Sequence, residues 1–279
     1  MSIVTFWSNN EKTIGQTVAA SVAATIMAME HNYKILLISA DINNNSIEAC
    51  FGAQQSNKKI LKNIISAPQM NLETGMSGLM KIAKSNRVTP ELIKDYTKII
   101  YKNRLEVLYS SSNSDLSVNE QMECYKTIIL NASKYYDYVF VDLRKGIKYQ
   151  FLEEILNVSD VIVLNTEQGI NTLMNFFKMK EMQKYIKEYK IIWNICRYDS
   201  KSKYNKKNLN RTFWKRQPIY SISYNTLLFE AVTDGTLPEL LLRLRTVKSD
   251  DESMEILKEG KELVEGILIR KQELQMKMK

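Results

Sequence analysis

Apolar positions along this chain fall into two alternating kinds of run. Short blocks rich in Ile, Val, Leu and Tyr occupy residues 3–7, 34–39, 105–109, 138–142, 161–165, 190–195 and 218–222. They show little polar alternation, as expected for strands covered on both faces. Between them lie segments of helical spacing at 17–30, 79–84, 90–102, 119–134, 149–156, 170–187 and 226–232. This succession predicts an α/β fold, with a mostly parallel central sheet of about seven strands, right-handed crossovers and helices on both faces. Strands 3–7 and 34–39 are expected side by side. Ligands in such sheets gather at the carboxyl ends of the strands, so those ends carry the search for chemistry.

The interval 51–104 is long for one crossover and predicts a helical insertion, one of whose helices opens at Thr89-Pro90-Glu91 with an N-cap, a proline at N1 and an acid in the first turn. Only 9 glycines and 4 prolines are present in 279 residues, leaving little material for a flexible linker. One domain over residues 1–245 is therefore expected, followed by a C-terminal helix over 246–279.

The first forty residues hold the most telling arrangement. An apolar strand, a polar loop over 8–16, an Ala-rich helix and a second strand ending at Asp41 form the opening of a phosphate-loop domain. In the standard loop, G-x-x-x-x-G-K-[ST], glycines let backbone N–H groups close around phosphates, a lysine reaches the outer oxygens and the hydroxyl ligates Mg²⁺. Here the eight positions read Asn10-Glu11-Lys12-Thr13-Ile14-Gly15-Gln16-Thr17, and only Gly15 and Thr17 fit. The setting still suits an anion, because the loop leads into a helix N-terminus. Asp41 and Asp142 each end a strand, where a carboxylate either caps the next turn or helps to hold Mg²⁺ and orient an attacking water.

Taken together these stretches resemble the ParA/MinD group of deviant phosphate-loop ATPases, in particular its pilus-localising TadZ/CpaE branch. The resemblance covers roughly residues 2–245. It rests on the loop, on Tyr136-Asp137-Tyr138-Val139-Phe140-Val141-Asp142, on Ser159-Asp160-Val161-Ile162-Val163-Leu164 with Thr166-Glu167-Gln168, on Ile191-Ile192-Trp193-Asn194, and on Pro218-Ile219-Tyr220-Ser221. It implies ATP and Mg²⁺ as cofactors, with Lys12, Thr13, Ile14, Gly15, Gln16, Thr17, Val18 and Asn194 around the nucleotide. Thr17 and Asp142 would hold the metal, Asp41 would position water, and Asn194 would recognise the base. The chain departs from the family at its two lysines: the signature lysine falls on Glu11 and the phosphate-loop lysine on Gln16. That exchange removes about three units of positive charge beside a triphosphate. Hydrolysis, binding without efficient turnover, and a pocket that holds no nucleotide all stay open. Lys12 is the residue placed to recover part of the charge. The expected role is a homodimeric positioning protein that recruits the protein partners of a larger assembly, such as a pilus or secretion apparatus. An active partition ATPase that binds nonspecific DNA is the alternative.

Charge adds one feature. The net charge is +8, and residues 197–216 carry eight cations (Arg197, Lys201, Lys203, Lys206, Lys207, Arg211, Lys215, Arg216) against one acid, Asp199. With Tyr204, Phe213 and Trp214 interleaved, this stretch reads either as a phosphate-backbone contact or as a solvated helix and loop whose aromatics pack inward. The C-terminal helix likewise offers two readings. Leu263, Val264, Ile267 and Leu268, with Arg270, Lys271, Lys277 and Lys279, would suit anionic lipid, and the same periodicity suits a helix that covers the sheet. The 3 cysteines, Cys50, Cys124 and Cys196, lack metal-ligand spacing and read as reduced core thiols. His31, the only histidine, reads as structural at a helix end. The N-terminus enters a strand without a basic lead, so neither a secretory signal nor a preceding receiver-like domain is expected, and a cytoplasmic location is.

Overall fold

A computed structural model describes residues 1–8, 14–40, 46–52, 75–85, 87–110, 117–143, 149–178, 183–188, 190–214, 218–246 and 253–277. Its centre is an eight-stranded sheet in the order β3-β4-β2-β5-β1-β6-β7-β8. The strands are β1 (Ser2–Trp7), β2 (Ile35–Ala40), β3 (Lys98–Tyr101), β4 (Leu105–Leu108), β5 (Tyr138–Leu143), β6 (Val161–Thr166), β7 (Ile191–Tyr198) and β8 (Ile219–Ser223). All neighbouring pairs are parallel except β3 with β4.

Two expectations change here. The sheet has eight strands, because only Pro90–Lys94 of the helix expected over 90–102 is helical, capped by the Thr89 side chain, and the chain then turns into β3. Residues 98–101 read KIIY, β-branched and aromatic, and an edge strand with one half-exposed face suits them better than another helical turn. Strands β1 and β2 are also not neighbours: β5 lies between them. That insertion sets Asp142 of β5 opposite both Phe6 of β1 and Ser39 of β2.

Successive side chains of each central strand enter opposite cores. Val4, Phe6, Phe140 and Val163 face α1 (Gln16–Glu30) and the C-terminal helices, whereas Trp7, Val139, Val141 and Leu164 face the helices of the other layer. Helix α1 is apolar almost all round and is buried along nearly its whole length, as befits a helix sandwiched between the sheet and other helices. Among the described residues no helix is long and apolar enough to cross a membrane.

The last helix, Met254–Lys277, packs on α1 and β8. Its apolar face, including Leu263, Val264 and Ile267, is enclosed in the core. The lipid-binding reading of that face is thereby corrected, since the side chains it needs already have partners inside the protein. Two glycines allow the close approach: a Cβ at Gly260 would collide with Ile26 and Val22, and one at Gly266 with the ring of Tyr220.

Candidate functional site

The loop that joins β1 to α1 ends at Gly15, whose left-handed backbone (φ 97°) forms the N-cap of α1 without any side-chain cap. Residues 9–13 and 41–45 lie outside the described residues, and with them Glu11, Lys12, Thr13 and Asp41. Ile14 is buried, while Gln16 and Thr17 turn into the protein beneath the helix.

Three acceptors converge on Gln16. Its Nε2 donates to Asp142 Oδ1 at 2.6 Å, to Leu143 O at 2.9 Å and to Phe6 O at 3.1 Å. Thr17 Oγ1 donates to the other carboxylate oxygen, Asp142 Oδ2, at 2.7 Å. The side-chain direction of Gln16 is therefore fixed by two strand ends, since β1 and β5 present their carbonyls to one point. Its own Oε1 is buried and has no hydrogen-bond partner among the described residues. Such an orphan costs about 1–3 kcal/mol, so this position is shaped for a group with donors only. An ammonium is such a group.

Thr17 and Asp142 are thus brought together as expected, with Gln16 beside them. Asn194 sits apart. It is fully buried on β7, opposite Asn165 of β6, and donates from Nδ2 to Asn165 Oδ1 at 2.8 Å. Asn165 in turn donates to Val163 O at 3.0 Å. Asn165 was legible only as a polar residue closing an apolar strand.

A cavity of about 230 Å³ opens beside Gly15. Gly15 and Val18 form one wall, Cys196 and Arg197 of β7 another, and Ile222 to Asn225, Leu228, Phe229 and Val232 close it. The last three belong to the helix Thr226–Asp234, capped by the Asn225 side chain, which accepts from Leu227 N at 2.9 Å. Of the nucleotide residues expected from the sequence, Gly15 and Val18 line this space and Asn194 does not. The walls are mainly apolar, as in sites for ring systems.

One edge of the cavity is tied to the C-terminal helix. Glu259 accepts from Ser223 N at 2.6 Å and from Ser223 Oγ at 2.9 Å, and it forms a short bond with Ser221 Oγ. Burial raises its pKa, opposed by the hydrogen bonds from Ser221 and Ser223 and by the charge of Lys206. Cys50, entirely buried, has its thiol pushed up to about 12, chiefly by desolvation, which leaves it no nucleophilic role. Among the described residues no cluster of His, Cys, Asp and Glu forms a metal site.

The basic stretch divides. Lys201, Lys203, Lys207 and Arg211 are exposed, whereas Lys206 donates inward to Ser221 Oγ at 3.0 Å. Lys215 and Arg216 lie outside the described residues. Tyr204 and Phe213 pack inward, the ring of Phe213 stacking on Phe177 with centroids 5.5 Å apart and Phe177 on Trp193 at 4.9 Å. Those two aromatics anchor the segment to the core, in keeping with the inward-packing alternative.

The sequence matches no protein-family model and no curated protein. Solved structures match over nearly their whole length. A ParA family ATPase from Chlorobium tepidum TLS is 16% identical with a TM-score of 0.68, covering 96% of this chain and 98% of its own. A plasmid partition protein from Borrelia burgdorferi B31, bound to AMPPNP, is 17% identical with a TM-score of 0.61, covering 100% and 99%. MinD in the MinC:MinD cell division complex of Aquifex aeolicus is 16% identical with a TM-score of 0.61, covering 94% and 96%. At these identities the likeness is one of fold: the chain has the architecture of ParA and MinD ATPases.

Proposed function

We propose that this chain is a ParA/MinD-like positioning protein that acts by binding. Nucleotide serves it as a conformational ligand without efficient hydrolysis, and a homodimer recruits the protein partners of a larger assembly. The TadZ/CpaE-like resemblance suggests a pilus or secretion apparatus as that assembly. The observation that carries the reading is Gln16, a neutral amide at the position of the loop lysine, engaged by Asp142, Leu143 and Phe6.

Phosphoryl transfer is catalysed almost wholly by positioning and by charge set against the transferred group. The metal end of the site fits its task. Thr17 Oγ1 and the Asp142 carboxylate are hard oxygen donors of the kind Mg²⁺ takes, and they would hold it. A bound Mg²⁺ would neutralise phosphate oxygens. The lysine position does not fit, because the Gln16 amide carries no charge and its nitrogen is already turned to protein acceptors. Loss of that charge weakens the grip on the phosphates and removes stabilisation that the transferred group needs in the transition state.

Calorimetry with ATP and Mg²⁺, run beside a phosphate-release assay, tests this. Saturable binding with phosphate release at the uncatalysed rate is expected; multiple turnover by the unaltered chain would remove the reading. The surviving Thr17–Asp142 pair favours one alternative, an active partition ATPase in which Lys12 supplies the missing cation. On that reading Lys12→Ala abolishes turnover, and the exposed Lys201, Lys203, Lys207 and Arg211 contact duplex DNA through its phosphates.

A further inference from the structure

Arg197 is exposed like Lys201, Lys203, Lys207 and Arg211 of the basic stretch, but its backbone sets it apart. It is one of two non-glycine residues with positive φ among the described residues, at 51°. That region is unfavourable for an L-residue and marks a position the surroundings impose. The cause is visible in the sheet: β7 pairs with β8 through Cys196↔Ile222 and then Tyr198↔Ser223, so Arg197 is the extra residue of a bulge. Bulges re-aim side chains. Here the bulge brings the arginine stem over the start of α1, with Cγ 3.8 Å from the place a Cβ on Gly15 would occupy. Among the described residues no ion pair engages Arg197.

The cavity it lines measures about 230 Å³, smaller than the roughly 300–1,000 Å³ of pockets that enclose a whole drug-sized ligand. It takes the ring portion of a ligand and leaves the remainder at the mouth, where the α1 N-terminus and Arg197 meet. Gln16 is uncharged, and its amide nitrogen is turned to Asp142 and the two carbonyls.

We infer that Arg197 is the anion-binding residue of this cavity, gripping the phosphate that adjoins the ring of a nucleoside mono- or diphosphate and standing in for the charge missing at position 16. The inference rests on the nucleotide reading given above. It places the grip close to the base and away from Thr17 and Asp142, so binding of the shorter nucleotides needs no metal. A planar guanidinium donating two parallel bonds suits a phosphate beside the helix N-terminus.

The test is calorimetry of the full chain with adenosine, AMP and ADP in the presence of a chelator. The unaltered protein is compared with Arg197→Ala, Arg197→Lys and Arg197→Gly. Affinity for AMP and ADP should fall on the order of ten- to a hundredfold in Arg197→Ala, as for loss of a charged hydrogen bond, with adenosine affinity unchanged. The lysine variant should recover part of the loss. Arg197→Gly relieves the backbone, so it should keep or raise the thermal midpoint while losing AMP and ADP, which separates a lost grip from a damaged fold. AMP and ADP affinities unaltered in Arg197→Ala, or adenosine falling in parallel with them, would overturn the assignment of Arg197 alone. An unaltered protein that binds none of the three but does bind ATP with Mg²⁺ would overturn the Arg197 assignment alone, and one that binds neither would overturn the nucleotide reading together with it.

Discussion

The two ends of the loop's exit differ in kind. At the inner end, Gln16, Thr17 and Asp142 are locked to one another and to the ends of β1 and β5, with distances of 2.6–2.7 Å to the carboxylate. At the outer end, a mainly apolar cavity stands open beside an arginine in a strained backbone. The inner end helps to hold the sheet and helix together, while the outer end has the shape of a binding site. On the proposed reading the site loses chemical power while it keeps its architecture, because the two are carried by different side chains.

The inner end breaks first if Asp142 is removed. Asp142→Ala leaves the Gln16 amide and the Thr17 hydroxyl without their carboxylate, and a loss of about 2–4 kcal/mol in urea unfolding is expected. A loss below 1 kcal/mol would show that the inner end is not structural. Gln16→Lys sharpens the same contrast. An ammonium donates to all three acceptors and removes the orphan oxygen, so stability should rise by roughly 1 kcal/mol. A fall of that size would mean that the site has closed around the amide.

At the outer end, Glu259 holds its proton more tightly in the folded chain than in the unfolded one. Stability should therefore fall as pH rises from the ordinary glutamate value, about 4.3, through the raised value. Glu259→Gln should flatten that slope in thermal unfolding measured across mildly acid pH; an unchanged slope would remove Glu259 as its source. The smallest effect belongs to the exposed cations. Lys201→Ala or Lys207→Ala should alter stability by less than about 0.5 kcal/mol. If duplex binding exists, each should lower its salt slope by about one. A slope that stays fixed takes those lysines out of any DNA contact.

The sheet was largely legible, because buried parallel strands leave unbroken apolar runs such as Val161–Thr166. Strand β3 was not, since Pro90 and the Thr89 cap announce a helix whose pattern continues through Ile99 and Ile100 without marking where it stops. Within the site, Asp142 could be read from its place at the end of a strand, and so could Thr17 from the loop pattern. The inward turn of Gln16 could not, because it depends on carbonyls from residues 6 and 143, which sequence separates by more than a hundred positions. Arg197 was assigned to the basic stretch by its neighbours in sequence. Only the bulge between β7 and β8 moves it to the loop.

The bonds from Ser221 and Ser223 to Glu259 make the end of the chain a buttress for one edge of the cavity. A chain cut before residue 254 would lose that support together with the helix. A localisation defect after such a deletion would then report a collapsed ligand wall as much as a missing tether. Point changes such as Glu259→Gln, which leave the helix in place, distinguish the two.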